Sequence, residues 1–221
     1  VSANNLPQID ETIVGSEVNY MFGGKGGNQA LAAKGQGANV YFIGRVGNDG
    51  FGKTLLNTLQ HRSIDISQVK QDTGASGMSV AIINSKGDYG AVIVSESNLR
   101  IDPTDVKIYK NTGILLLQNE VTEAINISTT LKAKKEGAQI WLNAAPAREI
   151  SSELLNNLDV VIINKVEALY YRDLFNSVKS NHITKIFTLG SEGIKIHFPN
   201  NKQEYHPAYS IDVKSTHGAG D

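Results

Sequence analysis

An α/β fold, with a mainly parallel central sheet flanked by helices and a smaller β-rich part, is predicted by three features of the sequence. From about Thr112 onward, apolar runs of strand length alternate with helical stretches, the pattern of a parallel sheet with right-handed crossovers. From about Val18 to Leu99 the rhythm differs, with short apolar runs separated by Gly-rich turns. The 221 residues, 40% of them hydrophobic, are enough for one sizeable core.

The elements follow in order. "VNYMF" and "NVYFIGRV" are the first apolar runs. Between them "GGNQALAAKGQGA" has the Ala and Leu density of a helix closed by Gly. "DGFGKTLLNTLQHRS" predicts a second helix. "GMSVAIINSKGDYGAVIVS" predicts a hairpin, because two β-rich runs flank "NSKGD" and Gly87 can take the positive φ of a tight turn. Beyond Thr112 come the strand "GILLLQ", the helix "TEAINISTTLKAKKEG" and the strand "AQIWLN". A short helix near "SSELLNN", the strand "DVVIIN", a helix from about Lys165 to Ser180 and the strand "TKIFTLG" complete the series. Ligands of such sheets bind at the carboxyl ends of the strands. That singles out Gln118 to Glu120, Asn143, Asn164 to Glu167, and Thr188 to Gly193.

A net charge of −1 leaves no electrostatic footprint for nucleic acid or a membrane surface. The absence of cysteine excludes disulfides, thiolate metal sites and cysteine nucleophiles. The apolar runs are too short to span a bilayer, and the polar start "VSANNLPQIDET" has no signal-peptide core. A cytoplasmic protein is therefore expected. The chain opens without Met and closes on small residues of the kind that open a helix, so both termini are expected to be truncated.

Two constellations carry chemistry. In "FGGKGGNQA", four glycines in five positions precede a helix and let a ligand approach backbone amides, with Lys25 and Asn28 adding a cation and an amide. A tight turn packed against a helix is the alternative. The Gly-Lys-Ser/Thr ending of a P-loop is missing. Asn164 and Glu167, three residues apart at a helix start, share one face toward the strand-end cleft. They also have the spacing of an N-terminal cap.

Gly23 to Ala30, followed by Gly37 and Gly47, resembles the first signature of the PfkB/ribokinase family of carbohydrate kinases. The run from Ser215 to Asp221 resembles the start of its second signature, Asp-Thr-x-Gly-Ala-Gly-Asp. Between them "LNAAPAREI" is similar to Asn-Pro-Ala-Pro-Ala-Arg-Glu, "LLLQNE" to Gln-Leu-Glu, "INKVEA" to Asn-x-x-Glu and "TLGSEG" to Thr-Leu-Gly-x-x-Gly. The order is kept across almost the whole chain, and the ribokinase branch is the nearest.

The resemblance implies a ribokinase-like fold, with residues 1–221 as a single incomplete α/β domain and a β lid from segments within about 10–22 and 75–97. It implies ATP-dependent phosphorylation of D-ribose at O5 with Mg2+, and a homodimer paired through the lid. Gly24, Lys25, Asn28 and Glu120 would hold the sugar. Asn164, Thr188, Gly190, Ser191 and Gly193 would line the ATP site, and Glu167 would meet magnesium through water. Asp221 would bind the substrate and act as general base, with the amides of Gly218, Ala219 and Gly220 as the anion hole.

Departures accompany the match. Ser215 replaces the carboxylate that helps hold potassium in ribokinases, which argues against potassium activation. His217 takes a position often small or apolar, and the other histidines lack metal-ligand spacing. Glu96-Ser97-Asn98 replaces Gly-Ala-Asn after the lid strand, adding a charge with no evident reason. The first strand's sugar-binding Asp is not in the chain. Two alternatives follow: a kinase for another sugar or a nucleoside, and a truncated, non-catalytic sugar- or nucleotide-binding protein.

Overall fold

The structure, a computed structural model, describes the chain apart from residues 87–88, 178–179, 212–219 and 221 and the side chain at 89. Gly87, Ser215, His217, Gly218, Ala219 and Asp221 lie outside the described residues. The chain divides into two compact units, Val1–Arg100 and Ile101–Asp221.

The first unit contains β1 (Ser2–Ala3), β2 (Gly15–Glu17), α1 (Lys25–Gly35), β3 (Tyr41–Gly47), α2 (Gly50–His61), β4 (Asp65–Asp72), β5 (Met78–Ile83) and β6 (Tyr89–Val94). Its four-stranded sheet has the order β2-β1-β5-β6, and β5 and β6 form the expected antiparallel hairpin. The run Val18–Phe22 is not a strand. It has no regular structure, and Tyr20 instead packs on Phe51 with ring centroids 5.4 Å apart. β3 and β4 pair in parallel. A small core of Ala30, Leu59 and Ile64 forms with Phe22, Val40 and Phe42 packed against it.

Two polar networks tie this unit together. Asp49 caps α2 by accepting from the Gly52 amide at 2.7 Å, and it also accepts from the amide and hydroxyl of Ser76 at 2.8 and 2.7 Å. These bonds, the Ser76 amide foremost, hold its carboxyl below the usual carboxylate range. Asp72 accepts from Arg100 Nε at 2.8 Å and from the buried Ser97 hydroxyl at 2.9 Å. The Glu96 charge has its explanation here. It lies in the 3-10 turn after β6, with φ of 42°, and its carboxylate is 3.7 Å from Arg100 Nη1.

The second unit contains β7 (Ile114–Gln118), α3 (Glu123–Lys135), β8 (Gln139–Asn143), α4 (Ser152–Leu155), β9 (Val160–Asn164), α5 (Lys165–Tyr170), α6 (Arg172–Phe175), β10 (Thr184–Thr188), β11 (Ile194–His197) and β12 (Gln203–His206). The sheet order is β12-β11-β10-β9-β8-β7, parallel from β7 to β10 and antiparallel beyond. Near-continuous apolar strands follow from burial. Ile140, Leu142, Val161 and Ile163 form the core with Leu154, Leu155, Leu158 and Ile183. In α3, Glu123 in the first turn and Lys132, Lys134 and Lys135 in the last complement the helix dipole.

The helix expected from Lys165 to Ser180 is shorter and interrupted. Tyr171 leaves the helical conformation between α5 and α6, its side chain only 2% exposed. Farther on, the Ser177 hydroxyl donates to the Leu174 carbonyl at 2.6 Å, competing with the helical ladder where the helix stops.

Candidate active site

In the second unit the parallel strands end at two levels, β9 and β10 running two residues past the ends of β7 and β8. Gln118 stands opposite Asn143, Asn143 opposite Ile162, and Asn164 opposite Thr188. Polar residues singled out in the sequence thus line one edge of the sheet, as the strand-end rule requires.

Asn164 ends β9 and begins α5. Its Oδ1 accepts from the amides of Val166 and Glu167 at 2.8 and 2.9 Å. In return Glu167 Oε2 accepts from the Asn164 amide at 2.7 Å, and Oε1 from Asn164 Nδ2 at 2.9 Å. The capping alternative read from the spacing is therefore present, as a reciprocal box. Glu167 is buried and Asn164 exposed.

Thr188 to Gly193 forms a closed loop. The Leu189 amide donates to the Gly193 carbonyl at 2.8 Å, and the Gly193 amide to the Gly190 carbonyl at 3.0 Å. Gly190 and Gly193 have φ of 66° and 99°. A Cβ on Gly193 would fall on the backbone of His206 to Ala208, whereas one on Gly190 would meet open space. Ser191 is exposed on this loop, and Glu192 pairs with Lys165 at the start of α5.

Glu120 lies half-buried in the turn after β7. The segment around it is held from the loop between β8 and α4. The Asn119 amide donates to the Ala145 carbonyl, and Asn119 Nδ2 donates to the Pro146 carbonyl, both at 3.0 Å. Arg148 Nη1 donates to the Val121 carbonyl at 2.5 Å, and the Ser151 amide to Glu123 Oε1 at 2.8 Å. Burial pushes the Arg148 guanidinium pKa down against the opposing pull of Glu123.

Tyr171, which the sequence reading did not single out, completes this clasp. Its hydroxyl accepts from the Arg148 amide at 2.9 Å and from Asn119 Nδ2 at 3.2 Å, and donates to the Arg148 carbonyl at 2.7 Å. No local signal marks it, because its partners lie 23 and 52 positions away.

In the first unit Gly24 is the N-cap of α1, with φ of 86°, a conformation that favours Gly, and a Cβ there would meet open space. Lys25 opens the helix, and the Asn28 amide donates to the Gly24 carbonyl at 3.0 Å. Gly27 has a packing role: a Cβ there would lie 2.7 Å from the Phe22 ring. The packing reading of the Gly-rich run thus holds at Gly27, while the backbone at Gly24 faces open space. Gly220 is described and exposed, whereas Gly218, Ala219 and Asp221 are outside the described residues. Among the described residues no three acidic or His side chains are grouped to hold a metal, and no helix is long and apolar enough to cross a membrane.

Comparison with known proteins matches residues 3–221 to the pfkB family carbohydrate kinase model. Ribokinase of Bacillus subtilis is 27% identical over 228 residues, spanning 100% of this chain and 78% of that protein. Ribokinase of Staphylococcus aureus is 30% identical over 244 residues, with the same two shares, 100% and 78%. The structure of Arabidopsis thaliana ribokinase complexed with ribose and ATP superposes with a TM-score of 0.81 at 25% identity, covering 94% of this chain and 73% of that one. Together with the parallel sheet and its polar strand ends, these matches show that the chain belongs to the pfkB family of carbohydrate kinases, which are phosphotransferases.

Proposed function

We propose that the protein transfers the γ-phosphoryl group of ATP to O5 of D-ribose, giving ribose 5-phosphate and ADP. The observation that carries this reading is the set of polar strand ends on one edge of the sheet, Gln118 level with Asn143 and Asn164 level with Thr188, in a chain that ribokinases match along its length. Gly24, Lys25 and Asn28 hold sugar hydroxyls, helped by the open space over Gly24. Glu120 accepts from another hydroxyl. Asn164 and the loop of Thr188, Gly190, Ser191 and Gly193 hold ATP.

The chemistry asks mainly for positioning and charge stabilisation. Asp221 binds the sugar and takes the O5 proton as O5 bonds to the γ-phosphorus and the bond to ADP breaks. The amides of Gly218, Ala219 and Gly220 donate to the oxygens of the transferring group. Magnesium accompanying ATP neutralises phosphate charge. The residues present fit it through water. Each Glu167 oxygen accepts one hydrogen bond in the capping box and keeps lone-pair capacity for a water of the ion's shell. Ser215 supplies no carboxylate, which argues against activation by potassium.

The four-stranded sheet of the first unit serves as the lid over the sugar and excludes water as a competing acceptor. Exposed Val80, Val92 and Val94, on one face of its hairpin, support pairing of two copies through it. The protein acts in the cytoplasm on small molecules. The test is Asp221→Asn in the full-length protein. Turnover of ribose is expected to vanish while calorimetry still shows ribose binding, and normal turnover would overturn the assignment.

A further inference from the structure

The clasp around Glu120 uses a tyrosine hydroxyl to its full capacity. Tyr171 has one proton and two acceptor sites, and all three are engaged: the proton by the Arg148 carbonyl, the acceptor sites by the Arg148 amide and Asn119 Nδ2. Both side chains are buried, Tyr171 at 2% and Asn119 at 4% exposure. Asn119 has no other side-chain partner than Tyr171 among the described residues; its second Nδ2 bond goes to the Pro146 backbone, and its Oδ1 is buried without a partner. A buried amide in this state is costly, and an apolar residue there would avoid the cost. Leu is the residue that the similar Gln-Leu-Glu motif carries.

What the polar pair supplies in return is geometry. The Asn119 amide and side chain bind two successive carbonyls of the β8–α4 loop, Ala145 and Pro146. Tyr171 fixes the same loop two residues later through both backbone groups of Arg148. Arg148 then reaches back to the Val121 carbonyl. Glu120 lies between the two anchored residues, Asn119 and Val121, in a turn with no ladder of its own. We infer that Tyr171, acting through Asn119 and Arg148, is a positioning residue that sets where the Glu120 carboxylate meets the sugar. The inference rests on the proposed sugar-binding role of Glu120.

The experiment compares Tyr171→Phe, Asn119→Leu and Glu120→Ala in the full-length protein, with KM for ribose, KM for ATP, kcat and Tm measured for each. Phe removes only the hydroxyl and keeps the buried ring. The expected result is a rise of about fivefold or more in KM for ribose in both clasp variants, the loss of one or two net hydrogen bonds' worth of positioning. KM for ATP is expected to stay within twofold. A fall in Tm with ribose KM unchanged would make the network merely structural and overturn the inference. Asn119→Leu keeps the inference testable where Tyr171→Phe fails to fold, since an apolar side chain suits that buried site. Glu120→Ala separates the two levels. If it raises ribose KM and the clasp variants do not, the positioning role alone falls. If it leaves ribose KM unchanged, the sugar-site reading falls, and the inference with it.

Discussion

Glu167 is expected to serve two purposes, and two substitutions separate them. Its carboxylate receives the amide and side-chain N–H of Asn164 at 2.7 and 2.9 Å, at a buried position. α5 has only six residues, so its start is not backed by a long run of helical bonds. Glu167→Ala removes both bonds and is expected to cost about 2 kcal/mol, the upper part of the range for lost caps. For a chain of this size that is a fall of about 4–8 °C in Tm. Glu167→Gln keeps an acceptor oxygen for the Asn164 amide, as Gln does in other capping boxes, so most of that Tm is expected to remain. The neutral amide is nevertheless a poor partner for a hydrated cation. Steady-state kinetics of Glu167→Gln at limiting magnesium are expected to show kcat/KM for ATP falling about tenfold, about 1.4 kcal/mol of lost charge-assisted contact, with recovery as magnesium is raised. An unchanged magnesium dependence in Glu167→Gln would refute the metal role. An unchanged Tm in Glu167→Ala would refute the capping role.

Two further outcomes are expected. The Arg100 guanidinium and the Ser97 hydroxyl hold the Asp72 carboxyl well below the usual carboxylate range, so its stabilisation is present above the ordinary carboxylate pKa of about 4 and is lost as the pH falls below it. Tm measured from about pH 6 to pH 2 should therefore fall less steeply in Asp72→Asn than in the unaltered protein, and parallel curves would refute the linkage. Gly193→Ala should cost about 2–4 kcal/mol in urea unfolding, because its Cβ would meet the His206 backbone at a positive φ, whereas Gly190→Ala, facing open space, should cost about 1 kcal/mol. Equal losses would show that the backbone clash is not the determining factor.

Much of the second unit was legible because the strands of its parallel sheet are near-continuous apolar runs, and β7, β8, β9 and β10 all coincide with them. These runs are fully buried on the face of Ile140, Leu142, Val161 and Ile163 and half-buried on that of Leu116, Trp141 and Ile162. Strands without that signature escaped. β4 reads "DISQVKQD" and β12 reads "QEYH", polar sequences that become strands through their neighbours. The Asn164–Glu167 box was legible from its spacing alone. The Glu96 charge was answerable in principle, since Arg100 stands four residues on. Tyr171 was not. Two consecutive aromatics in an expected helix look alike in sequence, yet Tyr170 is exposed while Tyr171 is buried. Only the path of the β8–α4 loop decides which hydroxyl finds the Arg148 backbone.

The strand-end edge also shows why its substitutions must keep a capping oxygen without adding charge. A residue at the end of a parallel strand must stop the ladder, satisfy the first amides of the next helix and present polar atoms outward. Asn164 does the first two through one side chain, its Oδ1 shared by two amides and its Nδ2 bound to Glu167. The planar amide has two Nδ2 hydrogens, and the bond to Glu167 uses one, leaving one for a ligand. Replacing Asn164 by Ala would remove the cap and that donor together, so lost activity could not be assigned to either. Asp keeps the Oδ acceptor for the Val166 and Glu167 amides but sets a second carboxylate against Glu167. Ser keeps a capping oxygen without that charge, so Asn164→Ser is the substitution that tests the donor on a nearly intact helix start.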